Sequence, residues 1–284
     1  FVQDGLDLRL DVLDLDLGTP DQERLLRYLR LPRDVHYVKL DKRQRAVAAN
    51  LGQSFDGATP FQAVGTDEPV VTALMSELLR DAGSYDPYLS VLPERFVQRV
   101  WAETKFLADD ARDVDELVRM LGGPAAAERL KDRVDLEFAR TNPTFFAADD
   151  VVSLDVDVKN VDTLLVKVFE IDAVAYFDAF SAPVDASLDL DGLVANDERT
   201  LTFDEPPMRR MRRTIDLPTL RQAGTYVVEL IGGGVSSRAV VRKGELHLLE
   251  RVGAAGHVFQ VLDGSRAAVP AAVVRFGGRD FEPA

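Results

Sequence analysis

Cysteine is absent from this chain of 284 residues, and histidine is scarce. Without cysteine the chain has no disulfide, no thiolate nucleophile and no cysteine-based zinc site, although the compartment stays open. Three histidines, His36, His247 and His257, leave little material for a histidine-rich metal centre or a histidine-based triad. No stretch approaches the ~18–20 apolar residues of a membrane-spanning helix. These absences exclude most metal and nucleophile chemistry and any helical membrane span in this stretch.

Positive charge is also in short supply, with 34 Lys and Arg against 48 Asp and Glu, a net charge of −14. Such a surface repels phosphates and anionic lipids, so nucleic acid is disfavoured as a partner. The hydrophobic share of 46% fits a globular protein with a sizeable core, and the length fits two domains of roughly 100–200 residues each. The chain starts at Phe1, without methionine or a signal pattern, and we expect a fragment of a longer protein.

Helical periodicity dominates the first half of the chain. Apolar residues recur there at spacings of three and four, after residues that favour helix starts. The predicted helices begin near Thr19, Asp41, Thr66, Pro93, Asp113 and Pro124, and the last extends to about Arg140. Alternation over Leu6–Leu17, with a slip at Val12–Leu13 that suggests a bulge or turn, predicts a half-buried strand. Val35–Leu40 predicts a short strand, and residues 53–65 read as a loop. We therefore predict a mainly helical domain with a few strands over residues 1–145.

The period changes from 3.6 to 2 after Thr141–Thr144, a turn-like segment that contains Pro143. Valine and leucine alternate with polar residues from Val152 to Val158. Further strands are predicted near Leu164–Ile171, Val174–Phe177, Thr200–Phe203, Arg213–Leu217 and Val258–Leu262. Several short strands separated by turn signals predict an antiparallel β-sandwich over residues 146–250. Residues 251–284 are predicted as a β segment that starts a further sandwich module.

The strongest local signal is a hairpin around Gly232–Gly234. Tyr226–Ile231 and Val235–Lys243 flank the glycines with β-rich sequence, and a tight connection there needs positive φ, which glycine adopts at little cost. Both faces of the first strand are largely apolar. We therefore predict an interior strand of the sandwich.

The β half resembles the macroglobulin-like β-sandwich, the module repeated in tandem in alpha-2-macroglobulins. The resemblance rests on Val152–Val161 leading into Leu164–Ile171, and on Gly224–Glu229, where such modules carry a Gly-x-Tyr-x-Val strand near their end. It covers about residues 146–250, and no family is suggested for residues 1–145. The thioester motif of some macroglobulins requires cysteine and is absent. The resemblance implies an immunoglobulin-like spacer or docking module, located in a bacterial cell envelope or secreted.

A second, weaker similarity covers the end of the chain. Residues 257–264 and 269–277 look like the opening of another small sandwich, of the carboxypeptidase-regulatory kind. This similarity adds a module but implies no active site.

One acidic loop has the spacing of a calcium site. Asp189, Asp191 and Glu198, with Gly192 between them, fall at the third, fifth and twelfth positions of an EF-hand loop. Ser187 stands at the first position, where the loop needs aspartate. Calcium ligation and a plain acidic surface loop both stay open, and no cofactor other than calcium is predicted.

A cluster of arginines is unusual in so acidic a chain. It comprises Arg209, Arg210, Arg212 and Arg213. Such a cluster can bind an acidic partner or phosphate. The alternative is an exposed edge or loop whose arginines pair with nearby carboxylates.

We predict an α+β, multidomain chain: a mainly helical N-terminal domain followed by an antiparallel β-sandwich of immunoglobulin-like or macroglobulin-like type. The predicted function is non-catalytic, either structural or in protein interaction, with other domains of the same polypeptide or another protein as partners. Two alternatives remain. One is a hydrolase-type enzyme with a carboxylate site between the two domains, and the other is a calcium-stabilised adhesion module.

Overall fold

Helices make up the first part of the chain. The computed structural model describes residues 10–31, 36–43, 67–108, 113–203, 209–254 and 256–283. Residues 10–16 are helical. After them come α1 (Gln22–Leu29), α2 (Glu68–Arg80), a 3₁₀ turn (Asp86–Ser90), α3 (Glu94–Ala108), α4 (Val114–Met120) and α5 (Pro124–Asp132). No helix in the described ranges has both the length and the apolar content needed to cross a bilayer.

Local signals place most of these helix ends. The Asp21 carboxylate accepts hydrogen bonds from the backbone N–H groups of Glu23 and Arg24, so Asp21, rather than Thr19, caps α1. Asp113 caps α4 through the N–H of Glu116, as predicted. The prediction for α5 was too long, because it ends at Asp132 and the chain continues as a strand.

The predicted strand over residues 6–17 is wrong in its described part. Residues 10–16 form a helix, with Asp11 and Leu15, four residues apart, buried on one face. Period two alone favours a strand only where β-branched or aromatic residues support it, and Val12 is the one such residue in this segment. Leucine favours helix, and its propensity outweighs the alternation here.

Residues 36–40 are turn and irregular structure, so the short strand predicted at Val35–Leu40 is also wrong where it is described. Of the helix predicted from Asp41, residues 42–43 are helical and the remainder lies outside the described residues. The predicted loop at 53–65 also lies outside them.

A buried apolar core joins helices α1, α2 and α3. Leu25 and Leu29 of α1 pack with Leu74 and Met75 of α2 and Val97 of α3, all of them fully or almost fully buried. Burying one such side chain contributes about 1.5–3 kcal/mol. Trp101, the single tryptophan, is partly buried and packs against this core.

The second part of the chain consists of β-sheets. Five strands form one sheet in the order β2 (Phe145–Phe146), β8 (Val235–Lys243), β7 (Gly224–Gly232), β4 (Thr163–Ile171) and β5 (Asp197–Thr202). Three strands form another in the order β1 (Asp135–Phe138), β3 (Ser153–Lys159) and β6 (Met211–Asp216). Apart from the parallel β2–β8 pair, the ladders of the larger sheet are antiparallel. The predicted fold class, a helical region followed by an antiparallel, immunoglobulin-like β domain, is confirmed.

Strand β7 lies inside the larger sheet, as predicted. It pairs with β4 on one side and β8 on the other, and five consecutive residues, Tyr226–Leu230, are buried. The turn to β8 has two residues, Gly233 and Gly234, with φ of 56° and 80°. Two positive φ values in a two-residue loop are the signature of a type I′ turn, which matches the twist of the strands.

The predicted strand at Val174–Phe177 is a helix instead. Helix α6 (Ala173–Phe180) begins after Asp172, whose carboxylate accepts from the N–H groups of Val174 and Ala175. It ends at Ser181 in the left-handed conformation. A short apolar run does not distinguish helix from strand, and the aspartate cap decides the outcome here.

The end of the chain forms two small sheets. Strands β9 (Leu246–Gly253) and β10 (Gly256–Asp263) pair antiparallel, as do β11 (Val274–Phe276) and β12 (Arg279–Phe281). The described residues divide into two compact units. The first runs to Asp135 and takes in Val158–Asn160, and the second holds most of the sheet residues, including β7 to β12.

Candidate functional site

The acidic loop places the three predicted calcium ligands in different settings. Asp189 accepts a hydrogen bond from the N–H of Asp191 at 3.0 Å, and Gly192 has a φ of 84° in the turn that follows. Glu198 lies on β5, with its carboxylate 3.5 Å from the Lys167 ammonium. Within the described ranges, no three His, Asp or Glu side chains are grouped to hold a metal. Calcium binding stays a prediction, which an unchanged melting temperature in millimolar Ca²⁺ would dismiss.

Ser187, at the first position of that loop, is engaged elsewhere. Its hydroxyl donates to the Asp185 carboxylate at 2.5 Å, and its N–H donates to the same oxygen. These bonds lower the pKa of Asp185. The loop therefore closes on its own polar groups.

The arginine cluster divides between two faces of β6. Arg212 makes a two-pronged contact with Asp157, Nε to Oδ1 at 3.0 Å and Nη2 to Oδ2 at 3.1 Å. The Arg213 guanidinium lies 4.8 Å from the centre of the Phe203 ring. Neighbouring residues of a strand point to opposite faces, so Arg212 and Arg213 do not share a surface. Arg209 and Arg210 precede β6, and an interaction role for the cluster stays a prediction.

A buried cation that the sequence did not reveal lies at the end of β3. The Lys159 side chain is buried, and its ammonium donates to the carbonyl of Arg133 at 2.8 Å and to that of Lys131. Asn160, at a φ of 55°, donates to the same two carbonyls. Burial lowers the pKa of Lys159. The amine satisfies carbonyls that α5 leaves unpaired at its end, which is a structural role.

Arg133 supports the same corner of the first unit. It contacts both oxygens of the buried Asp135, at 2.6 and 2.9 Å, and Glu103 at 2.7 Å. These carboxylates raise the pKa of Arg133, first through the Asp135 hydrogen bond. The network fixes the chain where α5 gives way to β1.

Each histidine faces a glutamate at the surface. The nitrogen–oxygen distances are 3.0 Å for His36–Glu68, 3.7 Å for His247–Glu245 and 2.5 Å for His257–Glu250. The His257 ring also lies 4.8 Å from the Phe276 ring. These surface pairs link neighbouring side chains and so have a structural role.

Among the described residues, three exposed carboxyl groups, those of Asp185, Asp263 and Asp280, have pKa values that are shifted downwards. Hydrogen bonds from Ser187 and Ser265 lower the pKa of Asp185 and Asp263, and the Arg275 guanidinium lowers that of Asp280. A general acid requires a carboxyl pKa raised towards neutrality. A lowered pKa instead suits carboxylates that hold turns and ion pairs.

Sequence reasoning also missed the surface of α6. Val174, Phe177 and Phe180 of this helix are exposed, and none of its residues is buried. The available signal was Asp172, a capping residue that favours a helix start, directly before an octapeptide that is apolar except for Asp178. This is the one helix of the second unit among the described residues.

Comparison with family models gives two matches in sequence order. A model described as the actin-binding protein F N-terminal domain matches residues 8–134. A model described as the AbpF first immunoglobulin-like domain matches residues 164–244. The second match contains all but the first residue of β4, then α6, β5, β6 and the β7–β8 hairpin.

One curated relative aligns along most of the chain. Actin-binding protein F of Dictyostelium discoideum is 31% identical over 265 residues, which cover 92% of this chain and 11% of that protein. The expected location in a bacterial envelope or outside the cell is therefore wrong, because this relative is an actin-binding protein of Dictyostelium.

Two crystal structures of native alpha-2-macroglobulin from Escherichia coli show low similarity. A three-domain structure has 16% identity and a TM-score of 0.35, covering 49% of this chain and 48% of its own. A two-domain structure has 13% identity and a TM-score of 0.33, covering 52% and 80%. The comparisons support a less specific assignment than the predicted macroglobulin module. The chain has an immunoglobulin-like β module at residues 164–244, preceded by a helical region similar to the N-terminal domain of actin-binding protein F.

Proposed function

We propose that this chain is a non-catalytic, protein-interaction segment of an actin-binding protein, and that actin is its partner. The observation that carries the proposal is the order of the two matches, an N-terminal domain at residues 8–134 followed by a first immunoglobulin-like domain at 164–244. The relative with that name aligns with 92% of the chain. Under this proposal the protein acts at the actin cytoskeleton.

The use of charged groups supports a binding role. Lys159 and Arg133, which could serve as catalytic cations elsewhere, are committed to backbone carbonyls and to Asp135. Arg212 is committed to Asp157. Side chains fixed by several polar partners stabilise the scaffold, which then presents other residues at its surface.

The division of the chain is part of the proposal. A helical domain over residues 1–145 and a β-sandwich over 146–250 would lead into a further module that starts at 251–284. More specifically, we propose that the strands of the sandwich are connected in the order found in macroglobulin-like modules. Limited proteolysis should then cut first at residues 141–144, the turn before β2, whereas cuts scattered through β3 to β8 would count against the division.

Co-sedimentation with actin filaments tests the partner directly. The purified chain is spun with increasing filament concentrations, and a parallel spin without filaments corrects for aggregation. We expect saturable pelleting with a dissociation constant below about 100 µM, a binding free energy of at least about 5 kcal/mol. A chain that stays in the supernatant over that range would overturn actin as a partner of these residues.

A further inference from the structure

Helix α6 presents an apolar ridge that folding leaves uncovered. Val174, Phe177 and Phe180 are 64%, 49% and 65% exposed. They are three residues apart, so they lie along one side of the helix over about 9 Å at 1.5 Å per residue. Large apolar side chains grouped at a surface mark an interaction site more often than isolated ones do.

Tyr176, one helical turn from Phe180 of the ridge, holds the helix on the module. Tyr176 packs against a buried cluster made by Phe169, Val184, Leu190 and Val227. The Tyr176 and Phe180 rings are 4.7 Å apart. Asp178, on the same helix, forms an ion pair with Arg275. The inner contacts and the Asp172 cap account for the fold of α6, so the ridge is available to a partner.

The ridge lies in a strongly acidic segment. Residues 168–198 contain eight Asp and Glu and no Lys or Arg. Asp172, Asp185 and Asp189 accept hydrogen bonds from backbone and hydroxyl groups, which leave their charge in place. In this described segment, the ion pairs to cations are those of Asp178 with Arg275 and Glu198 with Lys167. Arg238 and Arg242 also donate to carbonyls of this segment, at Leu188 and Val184. Its eight carboxylates outnumber these cations, so the segment that carries the ridge is negative overall.

We propose that the ridge of α6 binds a basic amphipathic segment of another protein, one that carries a row of apolar side chains flanked by Lys or Arg. The apolar row would pack along Val174, Phe177 and Phe180, and its cations would face the surrounding carboxylates. Acidic segments and nucleic acids are repelled by the same carboxylates. This surface and partner class go beyond the proposed actin binding.

The test uses two synthetic helical peptides with the same leucine row. One carries lysines on its polar face, and the other carries glutamates at the same positions. Binding to the whole chain is followed by fluorescence anisotropy of the labelled peptide. The ridge variant is Phe177→Gln with Phe180→Gln, and circular dichroism checks that it is folded.

Two matched variants separate the ridge from general effects. Leu248→Gln removes an equally exposed apolar side chain from β9, and Asp115→Asn with Glu116→Gln removes two exposed carboxylates from α4.

We expect the lysine peptide to bind the wild-type chain. The ridge variant should bind this peptide at least about tenfold more weakly, a loss of about 1.4 kcal/mol or more in binding free energy. Both matched variants should bind it with an affinity within about twofold of the wild type. Equal binding of the two peptides, an unaffected ridge variant, or an equal loss in the matched variants would each overturn the proposal. Co-sedimentation of the same variants with actin filaments tests actin binding independently, so either proposal can fail without the other.

Discussion

Two antiparallel hairpins follow each other in the sequence and differ in what surrounds them. In the first, β7 and β8 have nine residues each, and in the second, β9 and β10 have eight each. Both ladders are regular over their full length. In β7 the residues Tyr226–Leu230 are buried without interruption, whereas seven of the eight residues of β9 are exposed.

The difference comes from neighbours rather than from strand sequence. Strands β7 and β9 are similarly apolar, with Val227, Val228 and Leu230 in one and Leu246, Leu248 and Leu249 in the other. Strand β7 has β4 on its second side, while β9 has only β10 in its two-stranded sheet. Pairing is a local property of alternating sequence, whereas burial requires strands that are distant along the chain.

The largest expected effect is at Leu230. This side chain is 0% exposed, opposite Val166 on β4 and Ser237 on β8. Leu230→Ala should destabilise the sheet by about 2–5 kcal/mol, through lost transfer free energy and the cavity left behind. Denaturant unfolding followed by the β-sheet circular dichroism signal measures this, while Trp101 fluorescence reports on the helical unit. A loss below about 1 kcal/mol would mean that β7 is not the interior strand described here.

The turn of the first hairpin gives the next test. Gly233 has a φ of 56°, which a β-branched residue adopts only under strain. Gly233→Val should cost roughly 1–3 kcal/mol of unfolding free energy, through strain at this backbone position. Gly233→Asn is the matched control, because asparagine tolerates the left-handed region and should cost less. Equal midpoints for wild type and Gly233→Val would show a turn loose enough to absorb the change.

Cross-strand charge pairs extend the contrast between the hairpins. In the first, the buried Glu229 faces Arg238, whose Nε lies 2.8 Å from its carboxylate and whose Nη1 donates to the Leu188 carbonyl. Arg238→Met should cost about 1–2 kcal/mol, since it leaves a buried carboxylate without its cation, partly relieved by solvent.

The matched change in the second hairpin is Glu250→Gln, which removes the exposed partner of His257. Its expected cost is within about 0.5 kcal/mol, as for most exposed ion pairs. The measurement is the same unfolding curve for both variants. Equal losses of unfolding free energy in the two variants would show that burial does not determine how much such an ion pair contributes.

Signals close together in the sequence made much of this fold predictable. Asp113 defined the start of α4, and the glycines of the β7–β8 turn defined the hairpin. The failures at residues 10–16 and at α6 share one cause. Alternation or a short apolar run does not by itself select strand over helix, and leucine content or a cap decided both cases.

Sites were harder to predict than elements, because their partners are distant in sequence. Asp157, the partner of Arg212, lies 55 residues away, so the arginine cluster could not be divided between faces in advance. Lys159 ends a strand whose alternation gives no sign that its amine would reach carbonyls 26 and 28 residues away. The exposed ridge of α6 became visible only once that segment was known to be a helix.

The smallest expected effect concerns Leu248, the counterpart of Leu230 in the second hairpin. Leu248 lies opposite Val261 and is 55% exposed. Truncation of a side chain that keeps more than half of its surface in water forfeits little transfer free energy and opens no cavity. Leu248→Ala should therefore change the free energy of unfolding by less than about 0.5 kcal/mol, measured under the conditions used for Leu230→Ala. A loss of about 2 kcal/mol or more would place Leu248 in a core and show that β9 is covered in solution. The two hairpins would then be alike in burial, and the face of β9 that carries Leu248 would be part of a hydrophobic core.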